Sequence, residues 1–329
     1  MAEAADRIRI RVEAAVCAGP ELAALAAGAW TFAPGGAAVG HVVDAGEGAA
    51  HLAGRRVVVG PVDACGECER CRRGVPFACP DGALLGHGAP GALAGEIVVR
   101  ARWVTELGNG LEIDGPLAAL IAREAADAYA LCARAGLAAG EPAVVLGRGP
   151  VARLLLQIAR ARGARAVAAS AAADGADAAL ETVRAHIAEH AGGGRPVKIF
   201  AVPEGEADAV ELELAVDLAG PGALVAVLSR PIGSDGRTPD MTALLAGGGA
   251  VVGVPAAHPD LVPEVAALAV RGEIDLAAIG EVYRPEPGQP LLAHPAALAE
   301  RARAALAAGR ALIVDQVANR EFARDQLAK

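Results

Sequence analysis

Aromatic residues are scarce in this sequence, at 2% of its 329 residues. A core without large rings must be built mainly from Ala, Val and Leu, which favours helices and strands that approach closely. The sequence also lacks a run of about 20 apolar residues free of charges and of Gly and Pro clusters. Its first residues show no basic leader ahead of an apolar segment. These absences predict a soluble, cytoplasmic protein that does not associate with membranes.

Basic residues do not predominate either, since the formal net charge is -9. Nucleic acid is therefore a poor candidate partner, because phosphate backbones are bound chiefly by clustered Lys and Arg. A small-molecule or protein partner is favoured. The 54% hydrophobic content with 21% charged residues excludes a disordered chain, and the length predicts two domains.

The pattern of apolar runs changes along the chain. Between residues 7 and 104, short β-type runs alternate with Gly-rich turns: RIRIRVEAAV, GHVVDAG, RRVVVGPV and EIVVRARWV. From residue 121 onward, helical stretches alternate with the apolar strands PAVVLG, RAVAAS, PVKIFAV, GALVAVL and GAVVGV. The fold class is predicted as α/β: a β-rich domain followed by a doubly wound domain with a parallel sheet. Residues 171–180, AAADGADAAL, are predicted to form a surface loop.

Four of the six cysteines lie within 15 residues: Cys65, Cys68, Cys71 and Cys79. Four thiolates supply the closed tetrahedral shell of one structural zinc ion per chain. Two disulfides and an iron–sulfur cluster are the alternatives. Three arginines in the same run are expected to favour the thiolates: Arg70, Arg72 and Arg73.

A glycine turn follows the strand PAVVLG and opens a helix, which is the context of a dinucleotide-binding turn. Its predicted cofactor-binding residues are Gly147, Arg148, Gly149, Pro150, Val151 and Ala152. Ser170 stands where an acidic residue would bind the adenosine ribose, no basic residue follows within four positions, and Asp174 is a distant substitute. Two interpretations stay open: the turn binds NAD or NADP, or it is kept only for packing. Arg148 either contacts pyrophosphate or is solvated.

The cysteine spacing after RRVVVGPVDACGECERCRRG resembles the structural-zinc lobe of the zinc-containing medium-chain alcohol dehydrogenases. RVEAAVCAGPEL, VVDAGEG, GRGPVA, DLAGPGALVAVL and RGEIDLAAI follow in that family's order. KIF and GGGAVVGVPA are similar to the branch that oxidises cyclic hydroxyacyl-CoA thioesters.

The resemblance implies three segments. Residues 1–122 would form a GroES-like domain with its zinc lobe at about 61–82. Residues 123–285 would form a Rossmann domain, and residues 286–329 would return to the first domain. The resemblance also implies a homodimer or homotetramer, and hydride transfer between an alcohol and NAD or NADP on a second, catalytic zinc.

The catalytic zinc motif is where this sequence departs from the family. The resemblance places the first ligand at Cys17, but the following Ala18-Gly19-Pro20 lacks the hydroxyl that relays a proton. The family's PGHE motif falls on residues 34–37, where Gly36 replaces His and Ala37 replaces Glu.

Other residues are considered as ligands of the catalytic zinc or as further parts of the site. A shifted register would bring His41 into the ligand position, and Glu124 is a candidate third ligand. Cys17 is interpreted as a vestigial, buried thiol, and no catalytic residue is assigned. Cys132 is predicted to lie in the core and His87 in a turn.

Two functions remain in competition. The first is an NAD(P)-linked oxidoreductase that acts on a small alcohol, carbonyl or enoyl substrate without catalytic zinc. The second is an inactive pseudo-subunit or structural partner that pairs with an active paralogue. Ordinary zinc-dependent alcohol oxidation is a third possibility, and it needs the His41 register or unusual ligands.

Overall fold

The β-branched runs of the sequence form strands, and the alanine- and leucine-rich stretches between them form helices. The structure is a computed structural model that describes residues 5–108, 111–113, 115–190, 197–203, 209–229, 239–256, 258–286 and 295–317. Its strands, β1 to β15, are Arg7–Cys17, Ala37–Ala45, Arg56–Val59, Val62–Asp63, Ala83–Leu85, Gly88–Ala89, Glu96–Arg100, Val104–Glu106, Pro142–Leu146, Arg165–Ala169, Lys198–Ala201, Leu224–Leu228, Ala250–Val254, Gly280–Tyr283 and Ala311–Asp315.

The helices of the described residues are mostly short. The α-helices, α1 to α10, are Pro20–Ala27, Glu69–Arg72, Ala126–Arg134, Pro150–Ala161, Ala171–Asp174, Ala176–His190, Ala209–Asp217, Thr242–Ala246, Val262–Val270 and Pro295–Ala307. A π-helical turn, Ile121–Ala125, precedes α3. None of the described helices is both long enough and apolar enough to cross a membrane.

The chain divides into two compact units. The first unit contains Met1–Ala126, Ala257–Val270 and Leu276–Lys329, and the second contains Asp127–Ala256 and Arg271–Asp275. Residues 257–270 thus belong to the first unit, although they lie inside the segment 123–285. The boundaries at 122/123 and 285/286 stay predictions.

A seven-stranded sheet organises the first unit, in the order β14-β15-β1-β2-β3-β8 with β7 also pairing with β1. β1 is the centre of this sheet, because it forms antiparallel pairs with β2, β7 and β15. Cys17 ends β1 opposite Leu312 of β15. The inward side chains are aliphatic, for example Ile8, Ile10 and Val12, which are at most 1% exposed. β4, β5 and β6 form a separate small sheet.

The second unit contains a five-stranded parallel sheet, in the order β10-β9-β11-β12-β13. The order reverses at β9, so crossover helices cover both faces of the sheet, and dinucleotides bind at such switch points. The predicted α/β class, with a GroES-like β-rich domain and a Rossmann-type sheet, is confirmed. All nine strands predicted from the apolar runs are present.

The loop predicted for residues 171–180 is wrong, because these residues belong to α5 and α6. The hydroxyl of Ser170 caps α5 by accepting a hydrogen bond from the amide of Ala173 at 3.2 Å. Alanine is the strongest helix former, and Gly175, at φ 87°, only interrupts the helix between α5 and α6. Ala179 and Val183 of α6 are then fully buried.

Candidate functional site

The four clustered cysteines converge in a short lobe around α2. Their sulfur atoms all lie within 4.8 Å of one another. Cys65 Sγ is 3.5 Å from Cys79 Sγ and 3.9 Å from Cys71 Sγ, and Cys68 Sγ is 3.5 Å from Cys71 Sγ. Sulfurs at about 2.3 Å from a tetrahedral zinc are separated by about 3.8 Å, so the cluster fits zinc. The separations are too long for disulfide bonds, and all four thiols are free.

Backbone amides prepare this lobe to hold negative charge. The amides of Cys68 and Glu67 donate to Cys65 Sγ at 3.3 and 3.5 Å. These hydrogen bonds lower the pKa of the Cys65 thiol to about 6. Desolvation and the neighbouring thiols instead raise the pKa of Cys71 to about 12. Four such close sulfurs need a bound cation before all of them can ionise.

The arginines of the lobe do not act as the sequence predicted. Arg70 donates to the carbonyl of Ala78 at 2.7 Å, and Arg72 donates to the carbonyl of Glu67 at 2.6 Å. Arg73 forms an exposed ion pair with Glu69 at 3.6 Å. Arg70 and Arg72 therefore brace the backbone of the lobe.

The predicted cofactor-binding residues form the glycine turn between β9 and α4 in the second unit. Gly147 follows β9 at φ 138°, and a Cβ there would lie 2.7 Å from the carbonyl oxygen of Val202. Gly149 is the N-cap of α4, and Pro150 is its first residue. Arg148 is half-buried, whereas Val151 and Ala152 are buried. The turn therefore needs glycine at position 147, because any side chain there would collide with the Val202 carbonyl.

Ser170 directly follows β10 and lies next to this turn, because the amide of Gly147 donates to the carbonyl of Ala169 at 3.0 Å. The Ser170 hydroxyl donates to Glu211 Oε1 at 2.7 Å. Asp174, the distant substitute, accepts from the backbone amide of Ser170 at 3.4 Å. Glu211 is a residue that the sequence interpretation missed. Its signal was an acidic residue among the apolar positions of AVELELAVD.

Cys17 lies at the end of β1 and is fully buried. Burial raises the pKa of its thiol well above the usual value, and the nearby Glu21 carboxylate adds to the increase. Gly36 lies beside it, since the Gly36 amide donates to the carbonyl of Val16 at 3.1 Å. Val16 pairs with Ala37 in the β1–β2 ladder. The register therefore brings Gly36 and Ala37, onto which the resemblance places the PGHE motif, beside the end of β1.

The alternative register with His41 as a ligand is wrong. His41 lies opposite Arg11, six residues before Cys17 along β1. Its side chain is 51% exposed, and its Nδ1 is 2.7 Å from Glu13 Oε1. A strand alternates its faces, so the ladder directs His41 away from the buried thiol.

A buried ion pair occupies the space beside Gly36. Arg123 Nη1 donates to both carboxylate oxygens of Glu21 at 2.9 Å, and the Gly36 amide donates to Glu21 Oε2 at 2.9 Å. A Cβ on Gly36 would lie within 2.5 Å of both side chains, Glu21 and Arg123. Arg123 and Glu21 are each 7% exposed. The arginine therefore fills the space beside Gly36, the residue that the resemblance aligns with the histidine of the PGHE motif.

Glu124 is fully buried and lies 3.5 Å from Arg123 Nε through its Oε1. It does not join Cys17 in a ligand set. Among the residues that the structure describes, the four-cysteine lobe is the only group of three or more potential ligands close enough to share a metal ion.

Cys132 and His87 lie in the kinds of surroundings that the sequence predicts, the core and a turn. Cys132 is fully buried in α3, and desolvation raises its pKa to about 12. His87 is exposed in a turn, where its amide donates to the carbonyl of Leu84 at 3.0 Å.

Comparison with known proteins agrees with this architecture. Residues 4–109 match the alcohol dehydrogenase GroES-like domain. A 2-dehydro-3-deoxy-L-galactonate 5-dehydrogenase from Pseudoalteromonas atlantica is 35% identical over 127 residues, which is 38% of this chain and 36% of that relative. The chain therefore matches about a third of the length of that relative.

Solved structures are similar over nearly the whole chain. The alcohol dehydrogenase TADH from Thermus sp. ATN1 has a TM-score of 0.74 at 22% identity, covering 94% of this chain and 92% of that one. An alcohol dehydrogenase from Escherichia coli CFT073, determined with NADH, has a TM-score of 0.71 at 17% identity, covering 95% and 92%.

A GroES-like unit with a four-cysteine lobe, together with a Rossmann-type parallel sheet, defines a zinc-type dehydrogenase architecture. Residues 4–109 thus match the GroES-like domain of the alcohol dehydrogenases, and the fold of the chain is that of the medium-chain dehydrogenase/reductases. The cysteine lobe is its structural zinc site.

Proposed function

We propose that this chain is an NAD(P)-linked oxidoreductase that transfers hydride to or from a small alcohol, carbonyl or enoyl substrate without a catalytic zinc ion. The family supports the oxidoreductase class. The observation that carries the finer proposal is the Arg123–Glu21 pair, which fills the space beside Gly36.

Both space and charge argue against a metal ion beside Cys17. The Arg123 guanidinium is itself a buried cation, held by two hydrogen bonds to Glu21 and by the nearby Glu124 carboxylate. The guanidinium already balances the Glu21 carboxylate and fills the space beside Gly36, so neither that carboxylate nor that space is left for a dication. A zinc ion also needs about three protein ligands, and Gly36 offers no side chain.

The nucleotide half of the proposal is supported by the turn of the second unit. Gly149 caps α4, so the first amides of that helix would face a bound pyrophosphate, and Gly147 lets the chain pass close to Val202. The E. coli relative determined with NADH supports the same class of cofactor. When bound, the nicotinamide would supply or accept the hydride.

We also propose that the protein is a homodimer or homotetramer. β13 is an edge strand of the parallel sheet, and its Val251 is 39% exposed. Light scattering tests this part, and a monomer would contradict it.

The zinc content per chain tests the proposal. Elemental mass spectrometry on chelator-washed protein should find one zinc per chain, unchanged by Cys17→Ala. In parallel, the purified chain should turn over NAD(P)H with a panel of small carbonyl and enoyl compounds. Two zinc ions, falling to one in Cys17→Ala, would show that zinc-dependent alcohol oxidation is the function.

The alternative, an inactive pseudo-subunit paired with an active paralogue, is favoured by one specific feature. Ala18-Gly19-Pro20 provides no hydroxyl for a proton relay after Cys17. A second chain that copurifies in equal amount, with no turnover by this chain alone, would support that alternative. Substrate-dependent turnover by the chain alone would exclude it.

A further inference from the structure

Glu211 brings a buried negative charge to the end of the second strand of the parallel sheet. It extends from α7, its side chain is fully buried, and it lies 41 residues from Ser170 in sequence. Besides the Ser170 hydroxyl, the backbone amides of Ala171 and Ala172 donate to its carboxylate, at 3.2 and 3.3 Å. Three donors at this position are thus already committed to an internal carboxylate.

We infer that Glu211 makes the nucleotide site selective for a ribose with a free 2′-hydroxyl, so that the chain binds NAD and discriminates against NADP. This inference rests on the proposed NAD(P)-linked function. In sheets of this class, the end of the second strand faces the 2′ position of the adenosine ribose. Here that strand is β10, and its end adjoins the Gly147 turn through the Gly147–Ala169 hydrogen bond.

The first reason is that Glu211 already binds the hydrogen-bond donors at this position. Hydroxyl and amide donors at this position are the groups that hold a 2′-phosphate when they are available. The Ser170 hydroxyl and the amides of Ala171 and Ala172 point instead to Glu211. Recruiting them for a phosphate would strip hydrogen bonds from a buried carboxylate, which is costly.

The second reason is charge. A phosphate monoester carries about -1.5 to -2 at pH 7, and it would approach two carboxylates, those of Glu211 and Asp174. Asp174 is held against the same strand end by the Ser170 amide. The segment from 171 to 180 contains no Lys or Arg to offset them.

Glu211 acts here as a positioning residue. Its carboxylate is covered, so it influences the 2′ position through its charge and through the donors that it holds. A cofactor with a free 2′-hydroxyl is not repelled by the carboxylates, and it does not need the donors that bind Glu211.

Isothermal titration calorimetry on the full-length protein tests the inference without any turnover. NADH and NADPH are titrated in turn, followed by 5′-AMP and adenosine 2′,5′-bisphosphate, which isolate the ribose end. The wild type should bind NADH at least about tenfold more tightly than NADPH, since one repelled charge is worth a factor of this order. Glu211→Gln should reduce that ratio by about tenfold.

Asp217→Asn is the matched control, because it removes the same charge from the exposed end of the same helix, α7. It should leave the ratio unchanged. If Glu211→Gln does not fold, as judged by circular dichroism, the wild-type preference between the two adenosine phosphates decides the question.

Equal or tighter binding of NADPH by the wild type would overturn the inference, and so would a ratio that Glu211→Gln does not change. These results leave the proposed oxidoreductase function intact. If the wild type binds neither dinucleotide and neither adenosine phosphate, the NAD(P)-linked function fails together with the inference.

Discussion

Replacing Arg123 by Met keeps most of the side-chain volume in place but removes the only cation that the structure shows in contact with Glu21. The Glu21 and Glu124 carboxylates are 7% and 0% exposed, so water cannot take over the role of the guanidinium. Breaking one partner of a buried ion pair costs about 3–5 kcal/mol. The geometry supports the full cost, because Nη1 contacts both oxygens of Glu21 at 2.9 Å.

The free energy of unfolding should therefore fall by about 3–5 kcal/mol in Arg123→Met. Urea titration followed by tryptophan fluorescence measures this loss in the relevant unit, because both tryptophans, Trp30 and Trp103, belong to the first unit. Arg134→Met is the matched control, since Arg134 is exposed on the helix that follows the π-helical turn, and it should change stability by less than about 0.5 kcal/mol.

A double variant separates lost charge balance from lost packing. Glu21→Gln in the Arg123→Met background removes one of the uncompensated carboxylates, so it should restore about half of the lost stability. The reasoning is refuted if Arg123→Met unfolds at the same urea concentration as Arg134→Met, or if the double variant is less stable than Arg123→Met.

Three further predictions concern other parts of the chain. Cys65→Ser should lower the bound zinc from one ion per chain to none in elemental mass spectrometry and should expose the lobe to trypsin; retention of one zinc would contradict the four-thiol site. Gly147→Ala should lose about 1–3 kcal/mol of stability, because φ 138° is strained for alanine and its Cβ would meet the Val202 carbonyl. It should also lose most dinucleotide binding, and a calorimetric titration equal to that of the wild type would contradict this. Burial raises the pKa of Cys132 to about 12, so its contribution to stability is complete below the unfolded-state pKa of about 8.5 and declines by about 1.4 kcal/mol per pH unit above it. Between pH 9 and 10.5, urea titrations followed by circular dichroism should show that the free energy of unfolding falls less steeply with pH in Cys132→Val than in the wild type. The same dependence on pH in both proteins would contradict this.

Under the proposed function, the two metal positions that the resemblance implies differ in this chain. The structural lobe keeps all four ligands at zinc-compatible separations. Beside Cys17, a guanidinium bound to Glu21 takes the place of a ligand side chain. If the proposed function holds, a cation of the chain itself stands beside Cys17 in place of a metal ion, and a polar protein donor has to polarise the substrate.

The sequence by itself determined the features that depend on local spacing. The cysteine intervals from Cys65 to Cys79 specify a four-thiol lobe, because two-residue spacers leave the backbone few ways to arrange the sulfurs. The alternation of apolar runs with helical stretches specified the parallel sheet, and the glycine turn after β9 specified its helix junction. The resemblance also aligned Gly36 with the histidine of the PGHE motif, and this alignment stays a prediction.

Only the tertiary structure decided which groups replaced the missing ones. Arg123 meets Glu21 across 102 residues, and Ser170 meets Glu211 across 41 residues. No local pattern predicts such contacts, because they depend on how β1, the π-helical turn and α7 pack in their units. The strand register likewise directs the His41 side chain outward. Ser170 caps the helix that replaces the loop predicted for residues 171–180. Hydrogen-bond partners and buried charges are settled when distant segments come together, and the chemistry at both candidate sites depends on those contacts.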